Sequence, residues 1–158
     1  MGFHKRLVWD PKLILAQMAA MQFFFYTTFG FLLGIIDTLA GQPISLGQIF
    51  DYRSITFSNV LGWTSIFTFI LNGFAGGVSL VYVVERHRKC LDFAATVHIF
   101  HFFISCFYGG FPYRWQWWAI NVVSLLFMSL LGEYLCMRKE LQDIPLASKD
   151  RSSLVSTV

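Results

Sequence analysis

The sequence predicts an all-α polytopic membrane protein, a bundle of four transmembrane helices with both termini in the cytosol. Three observations carry this. Of 158 residues, 56% are hydrophobic and only 13% charged, whereas a soluble domain carries about a quarter charged residues, so too little polar surface exists to cover a soluble globule. The charges that are present bracket four uncharged runs. The basic residues alternate between the two sides of those runs in the manner of the positive-inside rule.

A charge near the bilayer centre costs about 2.5 to 3.5 kcal/mol on the insertion scale, so spans are sought between charges. Lys12 and Asp37 bracket Leu13 to Ile36, and the first span is placed at 13–36. That run is too long for the apolar core of a cleaved leader, about 7 to 15 residues, and is read as a retained helix. Arg53 and Glu85 bracket a second run longer than one span; its beginning, Ser54 to Gly62, is assigned to the interface and the helix to 63–84. Asp92 and Arg114 bracket the third span, 93–111, and Arg114 and Glu133 the fourth, 115–132. Gly109, Gly110 and Pro112 predict a tight turn that makes the last two helices an antiparallel hairpin. Residues 1–146 thus form one membrane domain, and the polar stretch 147–158, with Ser148-Lys149-Asp150-Arg151, reads as a disordered cytosolic tail. The terminal Ser156-Thr157-Val158 has the form of a PDZ ligand.

Orientation follows from the cations. Lys5, Arg6 and Lys12 precede span one, Arg86, Arg88 and Lys89 lie between spans two and three, and Arg138, Lys139, Lys149 and Arg151 follow span four; only Arg53 and Arg114 fall on the other side. The net charge of +3 therefore reports topology and calls for no nucleic-acid partner. Trp63, Tyr113, Trp115, Trp117 and Trp118 gather at the opposite ends of the spans and Trp9 at the cytosolic end, the positions of interfacial anchors.

Two glycine pairs, Gly30 with Gly34 and Gly73 with Gly77, have the four-residue spacing that lets helix backbones approach closely. They suit the intramolecular bundle, with a homodimer as the alternative use. Cys90 and Cys136 fall at the cytosolic boundary and Cys106 inside a span, so no pair sits in an oxidising loop; the two boundary thiols have the juxtamembrane position of palmitate acceptors.

Counting about 1.5 Å per residue from each cytosolic boundary, Gln22, Asn72, His101 and Asn121 come to a common depth near the midplane. Each helix supplies one, which predicts a hydrogen-bonded polar layer fixing helix register, with Gln17 and His98 nearer the cytosol. His98 and His101 share a face at i, i+3, but haem ligation from two sides needs a histidine on another helix, and zinc lacks a further ligand at that depth. No catalytic constellation and no phosphate-binding loop is present; the expectation is a protein that is not an enzyme and carries no cofactor or metal.

The residues then become recognisable. Val8-Trp9-Asp10-Pro11 leading into Leu13-Ile14-Leu15, Gln17 and Met21-Gln22 resembles the opening of the Sys-one family of Golgi integral membrane proteins. Phe69-Ile70-Leu71-Asn72, Cys90-Leu91-Asp92-Phe93, Thr96-Val97-His98 with His101, Gly132-Glu133-Tyr134-Leu135-Cys136-Met137-Arg138, Glu140-Leu141 and Ile144-Pro145-Leu146 follow in order, so the resemblance runs from Val8 to Leu146. It implies a trans-Golgi membrane receptor that recruits an Arf-related small GTPase with an acetylated N-terminus, and through it golgin tethers and protein transport. The docking residues it suggests are Trp9, Asp10 and Pro11, then Arg86, Arg88, Lys89 and Asp92, then Glu133, Tyr134, Arg138 and Glu140, all on the cytosolic side. The alternative function is a small transporter or channel that uses the midplane polar layer as its path.

Overall fold

The computed structural model describes the backbone of residues 11–84 and 89–155, and the side chains of 11–84 and 89–142. Four helices long and apolar enough to cross a membrane run through it, and the chain is an all-α four-span membrane protein.

Helix α1 spans Pro11–Ala40. Proline opens it because the first helical residue needs no amide donor, and Gly41, at φ +66°, ends it in the left-handed region that only glycine enters freely. The helix is four residues longer at its C-terminal side than the charge bracket implied. Asp37, taken there as a boundary charge, lies inside the helix and is wholly buried.

A segment that the sequence assigned to loop and interface then folds over this end of the bundle. It comprises the short helix α2 (Gly47–Phe50) and a 3₁₀ turn, Tyr52–Ser54, whose start is capped by Asp51 accepting the Arg53 amide at 2.9 Å. Gln48, Ile49, Tyr52 and Ile55 are buried, so the segment is a packed cap.

Helix α3 spans Val60–Val83 and begins three residues before the expected Trp63. Asn59 sets that start, its side-chain oxygen accepting the Gly62 amide at 2.8 Å, which supplies one of the four donors a helix start leaves unpaired. Helix α4 spans Cys90–Gly109 and stops at Gly110, φ +84°. Helix α5 begins at Trp115, as expected, but runs to Val155. The expected disordered tail from residue 147 is therefore helical in backbone through Val155. Intrahelical hydrogen bonds continue where side-chain polarity alone suggested a coil. Residues 156–158, with the PDZ-like terminus, lie outside the described residues.

Packing follows the glycines. Helix α3 is the centre, held against α5 and α1, and α5 packs in turn on α4. A Cβ at Gly73 would come within 2.8 Å of Ser124 Oγ, and one at Gly77 within 3.0 Å of Leu131 Cβ. These contacts advance together along both helices, so α3 and α5 run parallel with their backbones in close approach. Gly30 and Gly34 behave otherwise, since a Cβ at either meets nothing within 4 Å. One pair serves the bundle; the other faces outward.

Trp63, Tyr113, Trp115 and Trp118 are exposed on the outside, as anchors are. Trp117 is not an anchor: it is buried at 2% exposure and stacks on His101 at 6.2 Å with an interplanar angle of 11°. Consecutive residues of a helix point about 100° apart, so three neighbouring tryptophans cannot all face lipid.

Candidate functional site

Two regions hold the residues singled out from sequence. The first is the bundle interior. Asn72 Nδ2 donates to the Phe25 carbonyl at 3.2 Å, joining α3 to α1. His101 Nδ1 lies 3.5 Å from the Tyr26 hydroxyl, joining α4 to α1. Asn121 Nδ2 turns back to its own helix, donating to the Trp117 carbonyl at 2.9 Å. Neither side-chain polar atom of Gln22 has a partner. The four midplane residues thus do not bond to one another. Depth counted along each helix does not fix azimuth, and an amide one turn away from a carbonyl finds it more cheaply than a side chain across the bundle.

The interhelical ties are carried by neighbours instead. His98 Nε2 meets Ser124 Oγ at 3.2 Å, and its Nδ1 meets the Ala94 carbonyl at 3.0 Å. Gln17 Nε2 donates to the Val83 carbonyl at 2.9 Å, satisfying an acceptor at the end of α3 that has no intrahelical donor. Around His101 the rings of Phe25, Tyr26, Phe50, Phe69 and Trp117 all come within 6.3 Å, a closed aromatic cage. Among the described residues no three His, Cys, Asp or Glu side chains are grouped to hold a metal ion.

The second region is the end of the bundle where α1 and α4 begin and α3 ends. Gly132 is its junction: a Cβ there would sit 2.7 Å from Leu80 Cδ1 and 3.6 Å from Cys90 Cβ, so α3, α4 and α5 meet around it. Cys90 and Cys136 face each other there, Sγ to Sγ 3.5 Å, both unoxidised and at most 1% exposed. Their spacing along the chain does not pair them, although two thiols at the same end of an antiparallel hairpin are natural neighbours. Their burial also argues against palmitoylation. In the folded protein in detergent, maleimide is expected to label half-buried Cys106 faster than either of them, by mass spectrometry of the trypsin-digested chain; equal labelling would contradict the packing.

Of the residues suggested for docking, Trp9, Asp10, Arg86 and Arg88 lie outside the described residues. The others are brought to this end. Pro11 opens α1, Lys89 precedes α4, and Asp92 sits exposed in the first turn of α4, where an acidic residue is favoured by the helix dipole. Glu133 and Glu140 are half-buried on α5, while Tyr134 and Arg138 are exposed.

Sequence reasoning missed two members of this surface. Met137 and Leu141, with Tyr134, are 47%, 59% and 55% exposed and occupy one face of α5 at i, i+3, i+7. Leu80 is level with Gly132 and α3 ends at Val83, three residues or about 4.5 Å further on; Leu141 is nine residues, about 13 Å, beyond Gly132. The apolar stripe therefore outruns α3, reaching about as far as the start of α1, where Gln17 is level with Val83 and Pro11 lies six residues beyond. Its spacing is visible in the sequence, but only the end of α3 shows that it stands clear of that helix.

Comparison with known proteins agrees with this architecture. The family described as "integral membrane protein S linking to the trans Golgi network" matches residues 4–146. The chain is 41% identical over 157 residues to the Protein SYS1 homolog of Dictyostelium discoideum, covering 99% of this chain and 68% of the relative. It is 39% identical over 141 residues to the Nematostella vectensis homolog, covering 89% and 90%. To Protein SYS1 of Saccharomyces cerevisiae it is 28% identical over 136 residues, covering 85% and 66%. No solved structure matches. With its four apolar helices and a family match over nearly the whole chain, the protein belongs to the SYS1 family of integral membrane proteins linked to the trans-Golgi network.

Proposed function

We propose that this protein is a Golgi membrane receptor that recruits an Arf-related small GTPase, through the end of the bundle where α1 and α4 begin and α5 projects. The observation that carries this is the exposed stripe Tyr134, Met137 and Leu141 on a helix that outruns α3. An apolar helix face standing beyond the end of α3, with charged residues such as Asp92 and Arg138 around it, has the character of a protein-docking surface. The positive-inside distribution of cations turns that end to the cytosol, where a peripheral GTPase with an acetylated N-terminus would reach it. Golgin recruitment and protein transport would follow from the GTPase.

Depletion tests the reading. With this protein removed, the Arf-related GTPase is expected to leave Golgi membranes and become cytosolic by fluorescence microscopy. A GTPase that stays, together with solute flux through liposomes containing the purified protein, would favour a transporter instead. The outward face of Gly30 and Gly34 is left for a partner within the membrane, and a second copy of the chain is the occupant proposed for it.

A further inference from the structure

Between α3 and α5, at the end of the bundle that carries the docking stripe, lies a groove of about 470 Å³. Its composition changes along its length. Val78, Val81 and Leu135 form the wall nearer the bundle centre, and Arg138, Lys139 and Gln142 line the far end. Tyr82, 76% exposed, stands on the α3 side.

The helix register fixes the direction of that change. Since Leu80 is beside Gly132, Arg138 lies six residues, about 9 Å, past that level, whereas α3 ends three residues past it. Arg138 and Lys139 therefore belong to a part of α5 past the last turn of α3, whereas Val78, Val81 and Leu135 lie at that turn or below it. The apolar walls suit acyl chains, and the positive groups beyond them suit a headgroup, with the Tyr82 phenol between the two. Among the described residues no acidic side chain lines the groove.

We propose that this groove binds an anionic glycerophospholipid, with acyl chain against Val78, Val81 and Leu135 and the headgroup phosphate against Arg138 and Lys139. A guanidinium offers a planar pair of donors to phosphate oxygens, and the surrounding liquid at the mouth of a groove within the spans is itself lipid. A zwitterionic lipid satisfies the apolar wall equally but leaves its own positive group beside two cations. Selection for net negative charge follows.

The inference concerns the protein alone and does not rest on GTPase docking. Purified full-length protein is equilibrated in mixed micelles with equimolar phosphatidylserine and phosphatidylcholine, and retained lipid is counted by native mass spectrometry. At about fivefold per basic residue near a membrane surface, phosphatidylserine is expected to be retained at least fivefold over phosphatidylcholine. The Arg138→Gln, Lys139→Gln variant is expected to bring that ratio close to one. Val81→Trp, which fills the apolar wall and leaves both charges, is expected to lower retention of both lipids, so the idea is still tested if the charge variant does not fold. Arg53→Gln with Arg114→Gln, at the other end of the spans, is expected to keep the preference. No preference in the native protein would overturn the proposal, as would an unchanged ratio in the Arg138 and Lys139 variant, or an equal loss in the Arg53 and Arg114 variant. GTPase capture that fails while lipid selection persists would sink the docking reading and leave this one standing.

Discussion

A Gly73→Val, Gly77→Val chain is expected to melt far below the native protein, while Gly30→Val, Gly34→Val melts within a few degrees of it. Both pairs share a spacing, a residue type and a place inside a span, yet their surroundings differ. At Gly73 a Cβ would sit 2.8 Å from Ser124 Oγ and 3.0 Å from its carbonyl oxygen; at Gly77 it would sit 3.1 Å from the Met128 carbonyl oxygen. Two of these obstacles are backbone, so α5 itself has to move. Overpacking costs about 1 to 3 kcal/mol at one site, and two sites on one seam draw on a total stability of about 5 to 15 kcal/mol. Moving α5 also pulls Ser124 from His98, 3.2 Å away. Gly30 and Gly34 have open space around them. Thermal unfolding in detergent, followed by circular dichroism, separates the two cases; equal melting of the two double variants would show that the α3–α5 seam is not the centre of the fold.

Phe69→Ala is expected to cost about 3 to 5 kcal/mol, the range for removing a buried aromatic ring. Lipid removes the hydrophobic drive between spans, and what remains is close packing, so an emptied ring site loses its dispersion contacts outright. Phe69 is 1% exposed and joins three helices: its ring is 5.2 Å from Phe29, 6.4 Å from Phe25, 6.4 Å from His98 and 5.3 Å from His101. Phe69→Leu retains most of the volume and is expected to cost less than half as much. A Phe69→Ala chain as heat-stable as the native one would contradict this view of the core.

Four spans were legible because the bilayer penalises charge so heavily that uncharged runs are almost direct images of helices. Their ends were not. Asp37 reads as a boundary charge in the sequence but is buried within α1, since a carboxylate does not always mark where water begins. The sequence ends the fourth span at Gly132, before the charge of Glu133, but a helix does not stop where the membrane does, and α5 continues as a helix to Val155, past Pro145, which has no amide to donate. Helix membership was also legible, and Gln22, Asn72, His101 and Asn121 do lie on four different helices. Azimuth was not, since it depends on how each helix is rotated in the packed bundle, and so the mutual polar layer dissolved into separate ties from Asn72, His98, His101 and Gln17. Gly30 and Gly34 looked the same as Gly73 and Gly77 for a similar reason: spacing defines a groove, and only packing defines what fills it. At the candidate docking end, Tyr134 and Arg138 were found from family-like words, whereas Met137 and Leu141 became visible once α3 was seen to end below them.

The central claim is that function resides at the end of the bundle where α5 projects. Liposomes carrying the purified protein are expected to capture the acetylated, Arf-related GTPase in a flotation assay, and liposomes carrying a Tyr134→Ala, Met137→Ala, Leu141→Ala chain to lose at least tenfold of that capture while the chain stays folded. Capture by the triple variant equal to that by the native protein, or none by either, would contradict the account.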